Sequence, residues 1–252
     1  MEDICYNRTY LTAVIARVDF PSPLEGLDQQ LPSEVSNAVL KAFPIEEPRQ
    51  GFTQEVQVSD GGAVQQRRSA FTEWRFHGAS REKTFSIAPM PKAAVFVECK
   101  QYSTYESFKA DFLLGLEPFF RCYPNTQGSR VGLRYINEIN LDDEEDPFDW
   151  DSYLHPKMLC LLDFWPSRSV ISRVFHNLEL NVGEFNLRYQ FGMHNPDYPS
   201  PIIKKTWILD FDAYCQGPQE YAGISGSLDE FHQAIQRLFE HSITPKLREK
   251  MQ

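Results

Sequence analysis

The feature that most constrains this chain is a succession of four β-type segments joined by turn residues. The segments cover residues 52–59, 64–77, 83–88 and 94–100. Asp60-Gly61-Gly62 joins the first two, and its glycines supply the positive φ that a tight hairpin needs. Gly78-Ala79-Ser80 marks the next turn, and two prolines separate the last pair of segments. This order predicts a four-stranded antiparallel meander.

A long helix is expected directly after the meander. Ser103, followed three residues later by Glu106, fits a capping box. Beyond it, Phe108, Phe112 and Leu116 recur at helical spacing, which predicts an apolar stripe on one face of the helix.

The second half of the chain has the same order of elements. Strands are predicted at 130–141, 170–181, 185–193 and 204–214, with a short helix near 156–164. Ser227 and Glu230 form a second capping box, and they predict the start of a final helix with Phe231 and Ile235 on its apolar face.

Matching stretches in the two halves suggest an internal duplication. Val14-Ile15-Ala16-Arg17 corresponds to Val131-Gly132-Leu133-Arg134, and residues 96–102 correspond to 208–214. The sequence therefore predicts an α+β fold of two strand–helix–meander–helix repeats, 1–126 and 127–252, in one compact unit. The strands would form one curved antiparallel sheet with both long helices on one face. The alternative is that an α+β protein alternates its elements in this way without duplication. A ligand would be sought at the free sheet face or at the seam between the halves.

Composition and charge narrow the class of protein. The 252 residues are 42% hydrophobic and carry a formal charge of −10, which argues against a surface built throughout for nucleic acid or an anionic membrane. Five dispersed cysteines, no C-x-x-C pair, no apolar run of membrane length and no signal-peptide features at Met1-Glu2-Asp3-Ile4-Cys5 indicate a cytoplasmic protein. No motif for a metal, a nucleotide cofactor or a catalytic nucleophile occurs, so we expect a non-enzymatic protein without cofactors.

A strongly acidic segment follows the strand at 130–141. It contains Asp142, Asp143, Glu144, Glu145, Asp146 and Asp149. The segment lacks the glycine and the regular oxygen spacing of a calcium loop. It is interpreted either as a solvated, self-repelling loop or as the docking site for a basic protein partner. The leading hypothesis is therefore a protein-binding or regulatory protein that uses this segment.

A basic cluster on the meander supports an alternative function in binding nucleic acid. The cluster comprises Arg67, Arg68, Arg75, Arg81 and Lys83. Aromatic residues lie among them and could stack on single-stranded bases. However, strand alternation places Trp74 and Phe76 on one face and Arg75 on the other, which favours a core face and a solvent face instead. The nucleic-acid hypothesis predicts salt-sensitive binding that falls when Arg67 and Arg68 are both changed to alanine.

Two further sets of residues are candidates for a site. Asp210 and Asp212 share a strand face and could hold a metal or move a proton, but an exposed face of a half-buried strand is the favoured interpretation. If the seam binds a small molecule or is an active site, Arg17, Arg134 and Tyr135 are the candidate anion contacts.

Three stretches carry a resemblance to a known family. They are R-V-G-L-R-Y-I-N-E-I-N-L (130–141), L-D-F-D-A-Y (209–214) and the closing segment 231–248. The chain resembles a sporadically distributed prokaryotic family of uncharacterised proteins of about this length, with a central Arg-Tyr-Ile-Asn strand and a C-terminal Phe-Glu…Ile-Thr helix. The resemblance implies no known activity. The family's patchy distribution fits a gene that travels with mobile elements or antiviral defence loci.

Overall fold

The structure is a computed structural model that describes residues 6–58, 64–141 and 146–252. The strands are β1 (Leu11–Asp19), β2 (Ile45–Glu46), β3 (Arg49–Val58), β4 (Val64–His77), β5 (Lys83–Ala88), β6 (Ala94–Cys99), β7 (Gly128–Asn140), β8 (Val174–Val182), β9 (Phe185–Met193) and β10 (Thr206–Gln219). The helices are α1 (Ser33–Val39), α2 (Tyr105–Cys122), α3 (Tyr221–Ser242) and α4 (Pro245–Met251). The fold is therefore α+β, as the sequence predicted.

All the strand pairs in the described ranges are antiparallel, and they make one open sheet in the order β2-β4-β5-β6-β1-β7-β10-β9-β8, with β3 on β4. The predicted meander is confirmed, because β3, β4, β5 and β6 pair in succession. Towards the centre, the first half runs β4-β5-β6-β1, with β2 and β3 on the outer side of β4, and the second half runs β8-β9-β10-β7 from its edge. The pairing of β1 with β7 joins the two halves at the centre of the sheet.

One face of the sheet carries a continuous row of buried apolar side chains, and we call it the covered face. A row of directly paired residues crosses seven strands on this face: Phe76, Phe85, Val97, Ala16, Leu133, Ala213 and Leu187. Each is at most 1% exposed. Their neighbours along the strands point to the opposite face, which we call the open face.

Helix α2 packs closely against the covered face at a glycine. A Cβ atom at Gly115 would lie 2.3 Å from the ring of Phe85 on β5 and 2.7 Å from Val39 on α1. Since contacts this close are sterically forbidden, only glycine lets α2 and the sheet approach at this point.

Two helix starts differ from the sequence prediction. Helix α2 is capped by Thr104 rather than Ser103, and the Thr104 hydroxyl accepts a hydrogen bond from the Ser107 amide at 3.3 Å. Helix α3 begins at Tyr221 rather than at Ser227. The Tyr221 ring packs 5.7 Å from that of Phe120 on α2, so a tertiary contact holds the first turn in place of a side-chain cap.

The segment predicted as a short helix at 156–164 is helical only as a 3₁₀ turn over Pro156–Met158. In the described parts of the chain, no helix is long and apolar enough to cross a membrane.

Two helix glycines provide a matched test of the packing of α2. Gly226 lies on the exposed side of α3, and a Cβ there would meet nothing within 4 Å. We expect Gly226→Ala to raise the free energy of unfolding by about 0.5–1 kcal/mol, because alanine is the better helix former. Gly115→Ala should instead lower it by about 1–3 kcal/mol, because the new methyl group displaces Phe85. Urea denaturation of both variants measures this difference, and an equal gain in both would contradict the described approach of α2.

Candidate ligand-binding site

A cavity of about 120 Å³ lies on the covered face where the two halves of the chain meet. Strands β1 and β7 form its floor beside β10, and α3 and the loop before α2 form its walls. A single water needs only about 15 Å³ by a comparable measure. The space is therefore large enough for a small organic molecule.

A chain of hydrogen bonds crosses the cavity wall. The hydroxyls of Tyr102 and Tyr135 lie 3.1 Å apart, and the Tyr135 hydroxyl lies 3.0 Å from Nδ1 of His232. The ring of Tyr105 stacks on the His232 ring with centroids 4.0 Å apart and planes only 3° from parallel. The Tyr105 hydroxyl donates to Asp229 at 2.8 Å, which fixes this stack from outside the cavity. The four aromatic side chains thus form one ordered wall to which both halves contribute.

Helix α3 presents a mixed face to the cavity. His232, Gln236 and Glu240 recur every four residues and line it beside Ile235 and Phe239. Spacing of four residues places side chains above one another on one side of a helix. Sequence reasoning found the apolar stripe but missed the polar stripe next to it, although its regular spacing was the available signal.

The one carboxylate among the described lining residues is already engaged. Glu240 accepts a hydrogen bond from the Tyr6 hydroxyl at 2.6 Å and from Nε of Arg248 at 2.7 Å. Burial and the Glu240 carboxylate raise the pKa of Tyr6 well above its usual value, so Tyr6 stays neutral and donates. Since Arg248 offsets the charge of Glu240, the cavity favours a neutral ligand over an ionic one.

Apolar groups dominate the rest of the lining. Leu11, Phe211, Ile235 and Met251 face the cavity from β1, β10, α3 and α4. Asn137 brings a polar group to the floor, and its side-chain amide donates to the Leu209 carbonyl oxygen at 3.4 Å. The cavity is thus an apolar space with hydrogen-bonding groups along one wall.

The Arg-Tyr-Ile-Asn stretch of β7 places side chains on both faces of the sheet. Tyr135 and Asn137 face the cavity, whereas Arg134 lies on the open face and binds Asp210 through two hydrogen bonds. Arg17 also lies on the open face, next to Asp19. The predicted set of Arg17, Arg134 and Tyr135 is therefore not brought together, and only Tyr135 belongs to the seam cavity.

The two candidate carboxylates of β10 both form ion pairs with arginines of β7. Arg134 binds Asp210, and Arg130 binds Asp212 at 2.9 and 3.0 Å. The hydrogen bonds to Asp210 raise the pKa of Arg134, since a neighbouring carboxylate favours the charged guanidinium. Arg130 reaches across Gly132, where a Cβ would lie 2.5 Å from its Nη1 atom. Asp210 and Asp212 therefore hold strands together by pairing with arginines.

The basic residues of the meander whose side chains the structure describes contact different groups and do not share one surface patch. The Arg68 guanidinium lies over the exposed ring of Phe52 at 4.0 Å, while the side chain of Arg67 lies outside what the structure describes. Arg75 and Arg81 bind carboxylates of Glu73 and Glu47, both at 2.7 Å.

Lys83 binds Asp111 of α2 on the covered face, whereas Arg75 lies on the open face. As predicted, Trp74 and Phe76 share the face opposite to Arg75. Binding of nucleic acid by the five basic residues stays a prediction.

The predicted docking segment is only partly within the described residues. Asp142, Asp143, Glu144 and Glu145 lie outside them. Asp146 and Asp149 are exposed, and a carboxylate oxygen of Asp146 accepts a hydrogen bond from the Phe148 amide at 2.8 Å.

Comparison with known proteins gives no assignment: no family model matches the chain, and no curated protein matches it. Across the described ranges, no group of three or more His, Cys, Asp or Glu side chains is placed to hold a metal ion.

The hydrogen-bond chain of Tyr102, Tyr135 and His232 can be tested by removing its central hydroxyl, that of Tyr135. We expect Tyr135→Phe to lower the free energy of unfolding by about 1–2 kcal/mol, because the hydrogen bonds to Tyr102 and His232 are both lost in a buried site. Tyr198→Phe, at a ring that is 55% exposed, is the matched control and should change it by less than about 0.5 kcal/mol. Urea denaturation that gives the same small change for both variants would contradict a buried hydrogen-bond chain.

Proposed function

We propose that this protein binds a small, neutral, amphipathic molecule in the seam cavity. The carrying observation is the ordered chain of Tyr102, Tyr135 and His232 along one wall of an otherwise largely apolar space. This combination is typical of ligand sites, where apolar contacts supply affinity and a few polar groups fix orientation.

The chemistry of the wall favours a ligand with a hydroxyl group. Tyrosine hydroxyls both donate and accept, and a neutral imidazole has one donor and one acceptor nitrogen. The wall therefore contains both donors and acceptors, the two kinds of group that a hydroxyl bonds to. The aromatic rings around it favour a flat apolar body, so a phenol is the simplest molecule with both properties.

We further infer that the two halves of the chain are repeats of one unit. Their strand orders correspond, β4-β5-β6-β1 with β8-β9-β10-β7, apart from the extra strands β2 and β3 of the first half, and a long helix follows the last strand of each half. Tyr102 and Tyr105 come from the first half, and Tyr135 and His232 from the second. A ligand in the cavity would touch both repeats and stabilise their junction.

A second candidate function is docking of a basic, partly apolar protein segment beside the acidic stretch. Phe164 is 82% exposed and Trp165 is 60% exposed, which is unusual for large aromatic residues. Arg168 binds Asp151 at 3.0 Å and Asp163 at 2.7 Å, so it links the loop of the aromatic pair to Asp151, which follows the acidic stretch (142–149) in the chain. Carboxylates next to exposed aromatic rings are complementary to lysine and leucine side chains.

Binding of p-cresol tests the seam cavity directly. We expect isothermal titration to show one site with Kd of about 0.1 mM, which is within the efficiency of ligands of this size. Gln236 is half-buried and lines the cavity, so the larger ring in Gln236→Trp would fill the space and should weaken binding at least tenfold. Gln233→Trp, on the exposed side of the same helix, should leave binding unchanged. Equal affinities in the two variants would contradict the proposal.

The docking candidate makes a separate prediction with a synthetic peptide of lysine and leucine as the probe. Fluorescence anisotropy should detect its binding, and replacing Phe164 and Trp165 together by serine should reduce affinity at least tenfold. Ile203→Ser, at another exposed apolar residue, should not change it. A matched glutamate–leucine peptide should not bind, and binding of both peptides alike would refute recognition by the acidic stretch.

A further inference from the structure

The last strand of the sheet, β8, is a long edge with apolar side chains in water. In the described part of the chain, its nine residues pair only with β9. Phe175, Leu178 and Val182 are 46%, 44% and 39% exposed. An exposed edge strand of this length is a template for pairing with another strand.

This edge lacks the usual protection against such pairing. Natural edge strands are commonly blocked by lysine, proline or an inward-pointing charge. Strand β8 contains no lysine, arginine or proline, and its one carboxylate, Glu179, is bound by Arg188 of β9 at 2.8 Å. That ion pair also lowers the pKa of Glu179.

The hairpin turn decides which backbone groups of β8 are available. Gly183 has φ +70° and Glu184 completes a two-residue turn, so Val182 and Phe185 form the bonded pair that closes the hairpin. Bonded and non-bonded pairs alternate along an antiparallel ladder. The even-numbered residues of β8 therefore bond to β9, and the backbone N–H and C=O groups of 175, 177, 179 and 181 point outwards.

We propose that β8 pairs antiparallel with β8 of a second copy of this chain, with the two-fold axis at Leu178. In this register Asn177 lies opposite Glu179 of the partner copy as a bonded pair, and Leu178 lies opposite its own counterpart as a non-bonded pair. The outward groups set by the hairpin turn match this alternation. The two sheets then continue into one another across the axis.

The strand sequence is complementary to itself in this register. On the covered side, Val174 meets Val182, His176 meets Leu180, and Leu178 meets Leu178. On the open side, the Asn177 amide lies beside the Glu179 carboxylate and can donate to it. Centring on Leu178 pairs all nine residues, whereas centring on Glu179 would bring two carboxylates face to face, which destabilises a strand pair.

A charge exchange at the axis tests the proposal. Sedimentation equilibrium should show the wild type as a dimer, and Leu178→Lys and Leu178→Glu should each be monomers because like charges meet at the axis. Mixing the two variants should restore a dimer, since lysine then lies opposite glutamate. Ile203→Lys, an exposed apolar residue away from the strand, is the control and should remain dimeric.

Other outcomes overturn the proposal. A wild type that remains a monomer at concentrations up to about 0.1 mM would do so, because β8 would then stay unpaired at the concentrations that the measurement covers. Dimers that persist in Leu178→Lys would place the contact elsewhere. Circular dichroism of each variant separates loss of pairing from loss of folding, since Leu178 is 44% exposed and its replacement leaves the core intact.

Discussion

The pairing of β1 with β7 is the interaction on which the rest of this structure depends. It joins segments more than 100 residues apart in the chain and places Ala16 opposite Leu133 in the buried row of the covered face. The register also decides which side chains reach each face. A slip of one residue would exchange Arg134 and Tyr135, moving a charge into the core and an aromatic ring to the open face.

In this register, the two faces of the central strands carry different kinds of interaction. On the open face, arginines bind carboxylates across neighbouring strands, and Asp210, only 9% exposed, has both of its oxygens bonded to Arg134. On the covered face, the same strands leave a cavity beside the tyrosine–histidine chain. A ligand bound there would bury apolar surface against the apolar lining and take its orientation from the hydrogen-bonding wall, which is the energetic basis of the proposed function.

Local patterns predicted much of the fold, because they depend on neighbours in sequence. Alternation and turn residues gave the meander, and the alternation at Trp74, Arg75 and Phe76 gave the correct faces. The start of α3 was missed because the contact between Tyr221 and Phe120 is tertiary. The site was harder still, since Tyr102 and His232 lie far apart in sequence and are joined only through the Tyr135 hydroxyl on β7. From the sequence, Tyr135 was a candidate for the seam, whereas the spacing of His232, Gln236 and Glu240 resembles an ordinary helix surface.

The position of a bound probe is the most direct test of the central claim, that the seam between the two halves is a ligand site. Intermolecular nuclear Overhauser effects between p-cresol and methyl-labelled protein give that position. The account predicts contacts from the probe to the methyl groups of Leu11, Ile235 and Met251, which line the cavity. Contacts confined to exposed residues such as Val170 or Ile203, with none to the cavity methyl groups, would contradict it.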